Sequence, residues 1–570
     1  MKRRATRVSK AVRFVFAFGL VLTLLLAPPA RRSSAAPLSG APFVSFDLVA
    51  DSSTAIPGGV GTFTNFPNSP SIDGGNISVY ATGIGGQQGI YRFNPIPPPI
   101  KVADLNTAVP IAPEGVVNFT GFSTAPVISG DSVAFAGFGM GGHQGIYRFV
   151  PPTPIRVADL YTLVPAGVGS FTGYSSGLGI SGSDIVFIGS GSSGQEGVYL
   201  ANTNPQPPPI TPIADTNTEI PGGSGNFTRF LPQPPPITPI APSMSGQYVV
   251  FFGAGGEGQE GVYLADVANP NPPPILPVAD GNTTIPGGHN FQFFTSLASE
   301  GNDVAFAGGQ NHDGNPNLPF DEGGVYKVLN VLMPSPPPIK VADLLTVVPA
   351  GIGNFTAFGS VAIDPGNVVF EGFSSDGTSG TRKGLYTDFG GTLSKIIATG
   401  DTLGAKVVSD LRFGSRGFSN HQVAFAADFT DGTHAVFVAT LCDSVAFDGF
   451  HQPIGGADAT GGTYSDPVRA FRLKSTVPVK MTLTTCDGQP LKTGVHTIQI
   501  IKFSNATTPD VPIDATPTDA ATTGNEFRLT DAATGEWHFN LSTKSLSKGI
   551  WQIKATLSDG SVHTAFIELK

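Results

Sequence analysis

Residues 133–159 read VAFAGFGMGGHQGIYRFVPPTPIRVAD. Three β-prone runs stand here: Val133-Ala-Phe135, Gly145-Ile-Tyr147 and Ile155-Arg-Val-Ala158. A Gly-rich turn separates the first two and a Pro-rich hairpin the last two. β-Branched and aromatic residues suit a pleated, half-buried surface, and Gly and Pro clusters punctuate strands. The whole pattern recurs every ~55 residues. Its closing run appears as Val49-Ala-Asp51, Val102-Ala-Asp104, Val157-Ala-Asp159, Ile213-Ala-Asp215, Val278-Ala-Asp280 and Val341-Ala-Asp343, with a degenerate copy at Ile397-Ala398 and Asp401. After each of the first six comes an aromatic: Phe63, Phe119, Phe171, Phe227, Phe291 or Phe355. The Val-Ala-Phe run is matched at Ser78-Val-Tyr80, Ile185-Val-Phe187, Val249-Val-Phe251, Val304-Ala-Phe306, Val368-Val-Phe370 and Val423-Ala-Phe425. Gly145 is matched at Gly89, Gly197, Gly261, Gly324 and Gly384, and the seventh copy reads Ala435-Val-Phe437.

Four strands per unit over seven units give an all-β expectation: a seven-bladed β-propeller over 43–442. The chain enters on a fourth-strand segment, 43–50, and the seventh unit ends after three strands. The N-terminal strand is therefore expected to pair near Ala435–Thr440 and complete the last blade, removing exposed edges. An open β-solenoid is the rival, but its coils are usually shorter.

Composition agrees. The 570 residues include 73 Gly and 51 Pro, too many breakers for a mainly helical chain, and 41 Phe provide for a large core. The basic head (Lys2, Arg3, Arg4, Arg7, Lys10, Arg13), the apolar run 14–27 and the small residues up to Ala35 form the pattern of a secretory signal over 1–35. An uncleaved N-terminal anchor is the alternative, although the run is short for a membrane span. Removal of 1–35 leaves 24 basic against 42 acidic residues, a net charge of −18. A surface so acidic disfavours nucleic acid and anionic lipid. No later segment is apolar and long enough to span a bilayer. The expected location is secreted, extracellular or in the cell envelope. In such a compartment Cys442 and Cys486 could pair, closing a loop worth roughly 4 kcal/mol; two free thiols are the alternative.

After Cys442 the triple prolines stop and both Trp residues, Trp537 and Trp551, appear. Strand-like runs at 470–473, 477–484, 496–503, 526–529, 537–541, 550–557 and 562–569 read as an immunoglobulin-like β-sandwich over 443–570. Phe450-His-Gln-Pro-Ile, Lys474-Ser-Thr-Val-Pro-Val-Lys-Met, Asp531-Ala-Ala-Thr-Gly-Glu-Trp-His-Phe-Asn and Leu557-Ser-Asp-Gly-Ser-Val-His-Thr resemble the PxKF domain, an Ig-like module at the C-terminal end of many exported bacterial proteins. The name motif stands as Pro478-Val-Lys-Met481, with Met for Phe, a size-tolerant apolar exchange. The resemblance covers about 445–570 and implies export, not catalysis. More loosely, the repeats resemble secreted bacterial repeat proteins of β-propeller type.

Candidate chemistry is sparse. Asp51, Asp104, Asp159, Asp215, Asp280 and Asp343 would ring one face, either as a carboxylate site for cations or basic ligands or as turn-capping residues. Their use in nearly every unit favours turn chemistry. The nine histidines and two cysteines show no zinc spacing, so no metal or cofactor is expected. His312-Asp-Gly-Asn315 with Asp321-Glu322 could hold Ca²⁺ but does not match a twelve-residue calcium loop. Gly173-Tyr-Ser-Ser-Gly177 matches a nucleophile elbow in letters, but β-prone sequence follows it, so it reads as a repeat turn. The glycines from Gly253 to Gly258 likewise read as turns. Arg229, Glu257, Asp321, Arg382 and Lys383 are charged residues unique to single units. The repeats hold no Trp, which weakens a sugar-stacking reading. The expectation is a non-catalytic, exported binding or adhesion protein whose loops meet a protein or glycan partner. The alternative is a secreted hydrolase or lyase acting on polysaccharide, with unique polar residues converging on a central channel.

Overall fold

A computed structural model describes residues 42–570, apart from 95–97, 111–116, 124, 205, 233–239, 257, 270–271, 311–321, 376, 379, 443, 457, 487, 493, 520–521 and 523. The signal segment expected over 1–35 lies outside the described residues. So do Glu257, the stretch His312–Asn315 and Asp321. The described chain is all-β, interrupted by short 3-10 turns.

Among the described residues, seven antiparallel sheets follow one another between Phe43 and Cys442. Unit 5 shows the plan: Phe293–Glu300, Asp303–Gln310, Glu322–Val328 and Ile339–Asp343 pair in chain order. The first strand is an edge of its sheet. In units 1 and 2 it is split, into Phe63–Asn65 and Ser71–Asp73, and into Phe119–Phe122 and Val127–Ser129. Pro67, Pro70 and Pro126 lie at the breaks and have no N–H to give the ladder.

One register runs through the units. Phe135 faces Tyr147, Phe251 faces Tyr263 and Phe370 faces Tyr386. In unit 1 the residue facing Tyr91 is Val79. The match of Ser78-Val-Tyr80 to Val-Ala-Phe is therefore one residue out of step, and Ile77-Ser-Val79 is the true equivalent. The misleading feature was Tyr80, an aromatic that sits on the opposite face of the strand, as a one-residue slip requires.

The aromatics explain the repeat. The Phe that opens or precedes the first strand meets the Tyr edge-to-face in every unit where both occur: Phe63 with Tyr91 at 4.9 Å, Phe227 with Tyr263 at 5.1 Å and Phe355 with Tyr386 at 4.9 Å between ring centres. The Tyr ring folds back over the glycine two residues before it. A Cβ on Gly261 would stand 2.8 Å from Tyr263 Cζ and Oη. Unit 7 has Phe437 in place of Tyr, and Ala435 in place of Gly.

The core lies between successive sheets. Val127, Ala134 and Ile146 of unit 2 pack with Phe171, Phe187 and Tyr199 of unit 3. Ala424, Ala426 and Val436 of unit 7 pack with Phe63, Phe66 and Val79 of unit 1. Hydrogen bonds join the first strands in the same succession. Gly130 N donates to Asp73 Oδ2 (2.6 Å), Gly182 N to Ser129 Oγ (3.0 Å), Gly246 N to Ser181 Oγ (3.0 Å) and Ser299 N to Ser243 Oγ (3.1 Å). Val361 N donates to Ser296 Oγ (3.0 Å), His421 N to Asp364 Oδ2 (3.0 Å), and Ile72 N to the Arg416 carbonyl (2.9 Å). The N-terminal strand Phe43–Asp51 pairs antiparallel with His434–Cys442, Ser45 opposite Thr440 and Asp51 opposite Ala435.

Beyond Cys442, two sheets share one core. One contains Ala446–Phe450, Thr476–Thr484, Glu536–Ser542 and Arg528–Asp531. The other contains Thr497–Asn505, Gly549–Thr556 and Val562–Leu569, with Arg469–Phe471 added in parallel. Val477, Val479, Met481 and Leu483 alternate inward with period two, and Met481 is fully buried. Both indole N–H groups find carbonyls, Trp537 at Leu491 and Trp551 at Ser547. Cys442 and Cys486 form a disulfide, with Cα atoms 5.6 Å apart.

Candidate functional site

The repeat aspartates end their fourth strands, where the chain turns into the next unit. Asp215 Oδ1 accepts the Asn217 amide (2.9 Å) and the Thr218 hydroxyl (3.0 Å), and Asp215 N donates back to that hydroxyl (2.9 Å). Asp51, Asp104, Asp159, Asp280 and Asp343 make the same three bonds. Lys101, Arg156 and Lys340 take the second oxygen of Asp104, Asp159 and Asp343. Burial pushes the Asp343 carboxyl up, but the bonds from Lys340, Thr346 and Leu345 outweigh it and hold the group below its ordinary value. With so many partners inside their own turns, these carboxylates are geometrically turn-capping groups.

A different place breaks the repeat. A cavity of about 580 Å³ lies among the first strands and is lined by all seven units, from Ser69–Ser71 in unit 1 to Gly414–Arg416 in unit 7. Two lining positions carry charge where the other units are uncharged. The residue after the Val-Ala-Phe run is Tyr80, Ala136, Ile188, Phe252, Ala307 or Ala426 in six units and Glu371 in unit 6. On the first strand, the position beside that run is Pro70, Pro126, Leu178, Pro242, Leu297 or Val361 in six units and Arg416 in unit 7.

Glu371 is only 9% exposed. Its Oε2 accepts Ser360 N at 3.2 Å, an amide in the irregular stretch between Phe358 and Val361. A Cβ on Gly359 would lie 2.5 Å from that oxygen, so the glycine makes room for the carboxylate. Burial pushes the Glu371 carboxyl up from 4.5, and the Lys383 charge opposes the shift. Lys383 itself pairs with Asp410 (2.8 Å) and the Leu411 carbonyl (2.9 Å). Arg416 donates to the carbonyls of Met244 (3.0 Å) and Ile180 (3.1 Å), tying unit 7 to units 4 and 3. Burial lowers the Arg416 pKa, opposed by Glu300 and Asp73. Among the described residues, neither Glu371 nor Arg416 has an ion-pair partner within 4.0 Å.

The other unique charges do not meet there. Arg229 pairs with Glu260, and Arg382 pairs with Asp401 at 2.5 Å. None of Arg229, Arg382 and Lys383 lines the cavity. Gly173-Tyr-Ser-Ser-Gly177 is not the expected turn: it lies within the strand Gly173–Ser181, whose pairing is irregular between Tyr174 and Leu178, and the next element is another strand. Among the described residues, no group of three or more His, Cys, Asp or Glu side chains could hold a metal ion. No helix there is long and apolar enough to cross a membrane.

The second part of the chain holds a Ser-His-Asp contact set. His563 Nε2 stands 3.2 Å from Ser561 Oγ, and its Nδ1 stands 2.9 Å from Asp458 Oδ2. Ser561 Oγ, however, donates to Asp559 Oδ1 at 2.6 Å, and Asp559 Oδ2 accepts Val445 N. A hydroxyl committed to Asp559 is not held for deprotonation by His563, so this set staples a hairpin.

Large apolar side chains are exposed on the loops that lead into the units and on neighbouring turns. Val60 is 80% exposed, Leu163 71%, Val168 73%, Leu345 82% and Ile352 55%. In unit 1 the loop is pinned to the turn after the second strand: Gln87 Nε2 donates to the Val60 carbonyl (2.7 Å) and the Ile84 carbonyl (2.9 Å), and Ile84 is itself exposed.

No protein-family model matches the chain, and no curated protein matches it. Among solved structures it is similar to Escherichia coli alpha-2-macroglobulin activated by porcine elastase, with 8% identity over 88% of this chain and a TM-score of 0.11. The match spans 37% of that chain. At that score it carries no argument about fold or function.

Proposed function

We propose that the chain is an exported, non-catalytic binding protein of the cell surface or extracellular space. Residues 43–442 would form a closed seven-bladed β-propeller and residues 443–570 an Ig-like sandwich of PxKF type, serving as spacer or attachment module. The reading of a closed ring is supported by the hydrogen bond from Ile72 to Arg416 and by the pairing of Phe43–Asp51 with His434–Cys442. The loops between units would meet a protein or glycan partner. The observation that carries this reading is the apolar side chains at the loop tips of units 1, 3 and 6, because large exposed apolar groups grouped on loops mark interaction surfaces. Retention of the purified protein on isolated cell envelopes tests it. The double variant L345S/I352S should lose most of the retention while keeping its melting temperature. Unchanged retention would sink the loop-face reading.

A second reading, a secreted hydrolase or lyase acting on polysaccharide, draws support from Glu371, a buried acid on the cavity wall. Release of reducing ends or unsaturated products from polysaccharide, lost in E371Q, would establish it.

A further inference from the structure

We infer that the central cavity is a binding site for a short saccharide or the end of a saccharide chain, with Glu371 as the anchoring acceptor. This does not rest on the loop-face reading, since the two sites share no residue.

Three features of the wall point to that ligand class. First, residues in or beside the first strand of every unit border the cavity, and in units 1 to 6 that strand is an edge of its sheet. Those edges are partly bonded to one another, as by the amides of Gly130, Gly182 and Val361, and the remaining backbone groups of all seven units border the cavity. Second, the hydroxyls of Ser69, Thr295 and Ser415 line the space and carry no hydrogen bond among the described residues. A wall that both donates and accepts at many points suits a polyhydroxylated molecule, whose hydroxyls do the same. Third, Phe373 and Phe358 supply apolar surface beside Glu371, as the C–H faces of a sugar ring require. The size fits, because small-ligand pockets run from ~300 to ~1,000 Å³.

Glu371 gives the inference its edge. A charged residue at a position that is alanine in three other units carries a desolvation penalty with no ion pair to offset it. Ser360 N donates to one carboxylate oxygen, the Phe413 backbone N–H also bonds the carboxylate, and a carboxylate has about four acceptor sites in all. A ligand bringing hydroxyl donors would compensate the rest, and hydrogen bonds to a charged acceptor are among the stronger ones.

The experiment is isothermal titration calorimetry of the purified protein against neutral, amino and acidic di- and trisaccharides. Binding of at least one class is expected. E371A, which restores the alanine of units 2, 5 and 7, should weaken it by about ten- to hundredfold. T295V should weaken it less, and V511S, at an exposed position of the C-terminal part, should leave it unchanged. The inference is overturned if no saccharide binds the wild-type protein. It is also overturned if folded E371A binds as tightly as wild type.

Discussion

The guanidinium of Arg416, in unit 7, donates to the carbonyl of Met244 in unit 4, 3.0 Å away. A second bond reaches Ile180, and the Arg416 carbonyl accepts from Ile72, so one residue ties four units. R416A removes both guanidinium bonds and should lower stability by about 2–4 kcal/mol. R416K keeps the charge but presents a single ammonium in place of a planar fork. It should recover less than half of the loss. Urea denaturation followed by intrinsic fluorescence reads both values, and an R416K variant as stable as wild type would contradict the two-carbonyl bridge.

Glu371 makes stability depend on pH in a definite direction. Its carboxyl is pushed up from 4.5 by burial. Below that value the group is protonated in folded and unfolded chains alike. As pH rises above it, the unfolded chain releases the proton first, so the folded state loses stability until Glu371 itself ionises. E371Q should lack this decline and be more stable than wild type at neutral pH by about 1–3 kcal/mol. Glu260 and Glu300 are shifted in the same direction, so E371Q should reduce the slope without abolishing it. A slope identical in wild type and E371Q would contradict the assignment.

Gly261 is held to glycine by Tyr263. A methyl group there would meet the Tyr ring at 2.8 Å, and G261A should cost about 1–3 kcal/mol. The cause can be isolated in a double-mutant cycle: on a Y263A background the G261A penalty should shrink by more than half. Equal penalties on both backgrounds would point away from the ring.

The unit period, the all-β class and the strand runs of the C-terminal part were legible because each rests on local chemistry. Gly261 and Tyr263 are one contact, so they recur together, and Val477 to Leu483 alternate because one face is buried. The slip at Ser78-Val-Tyr80 arose because composition cannot tell the two faces of a strand apart, whereas facing Tyr91 can. Glu371 and Arg416 were missed, while the unique charges named in their stead, such as Arg229 and Arg382, make ordinary ion pairs. The signal was present in the sequence. Aligned by the Phe that faces Tyr, Glu371 and Arg416 are each the one charged residue in their column. What the sequence could not show is that these two residues border the same cavity, since they lie on different strands of different units.

The pairing of Phe43–Asp51 with His434–Cys442 orders events during synthesis. The first described strand to be made must wait for almost four hundred residues before its partner exists, while the six intervening sheets can each form from contiguous chain. Until then it is an unpaired edge, the kind of segment on which nascent chains go astray. The partner strand ends at Cys442, whose sulfur is bonded to Cys486. The earliest described strand and the cross-link to the C-terminal part thus meet on one late strand, which makes that strand the checkpoint at which a newly made molecule is finished.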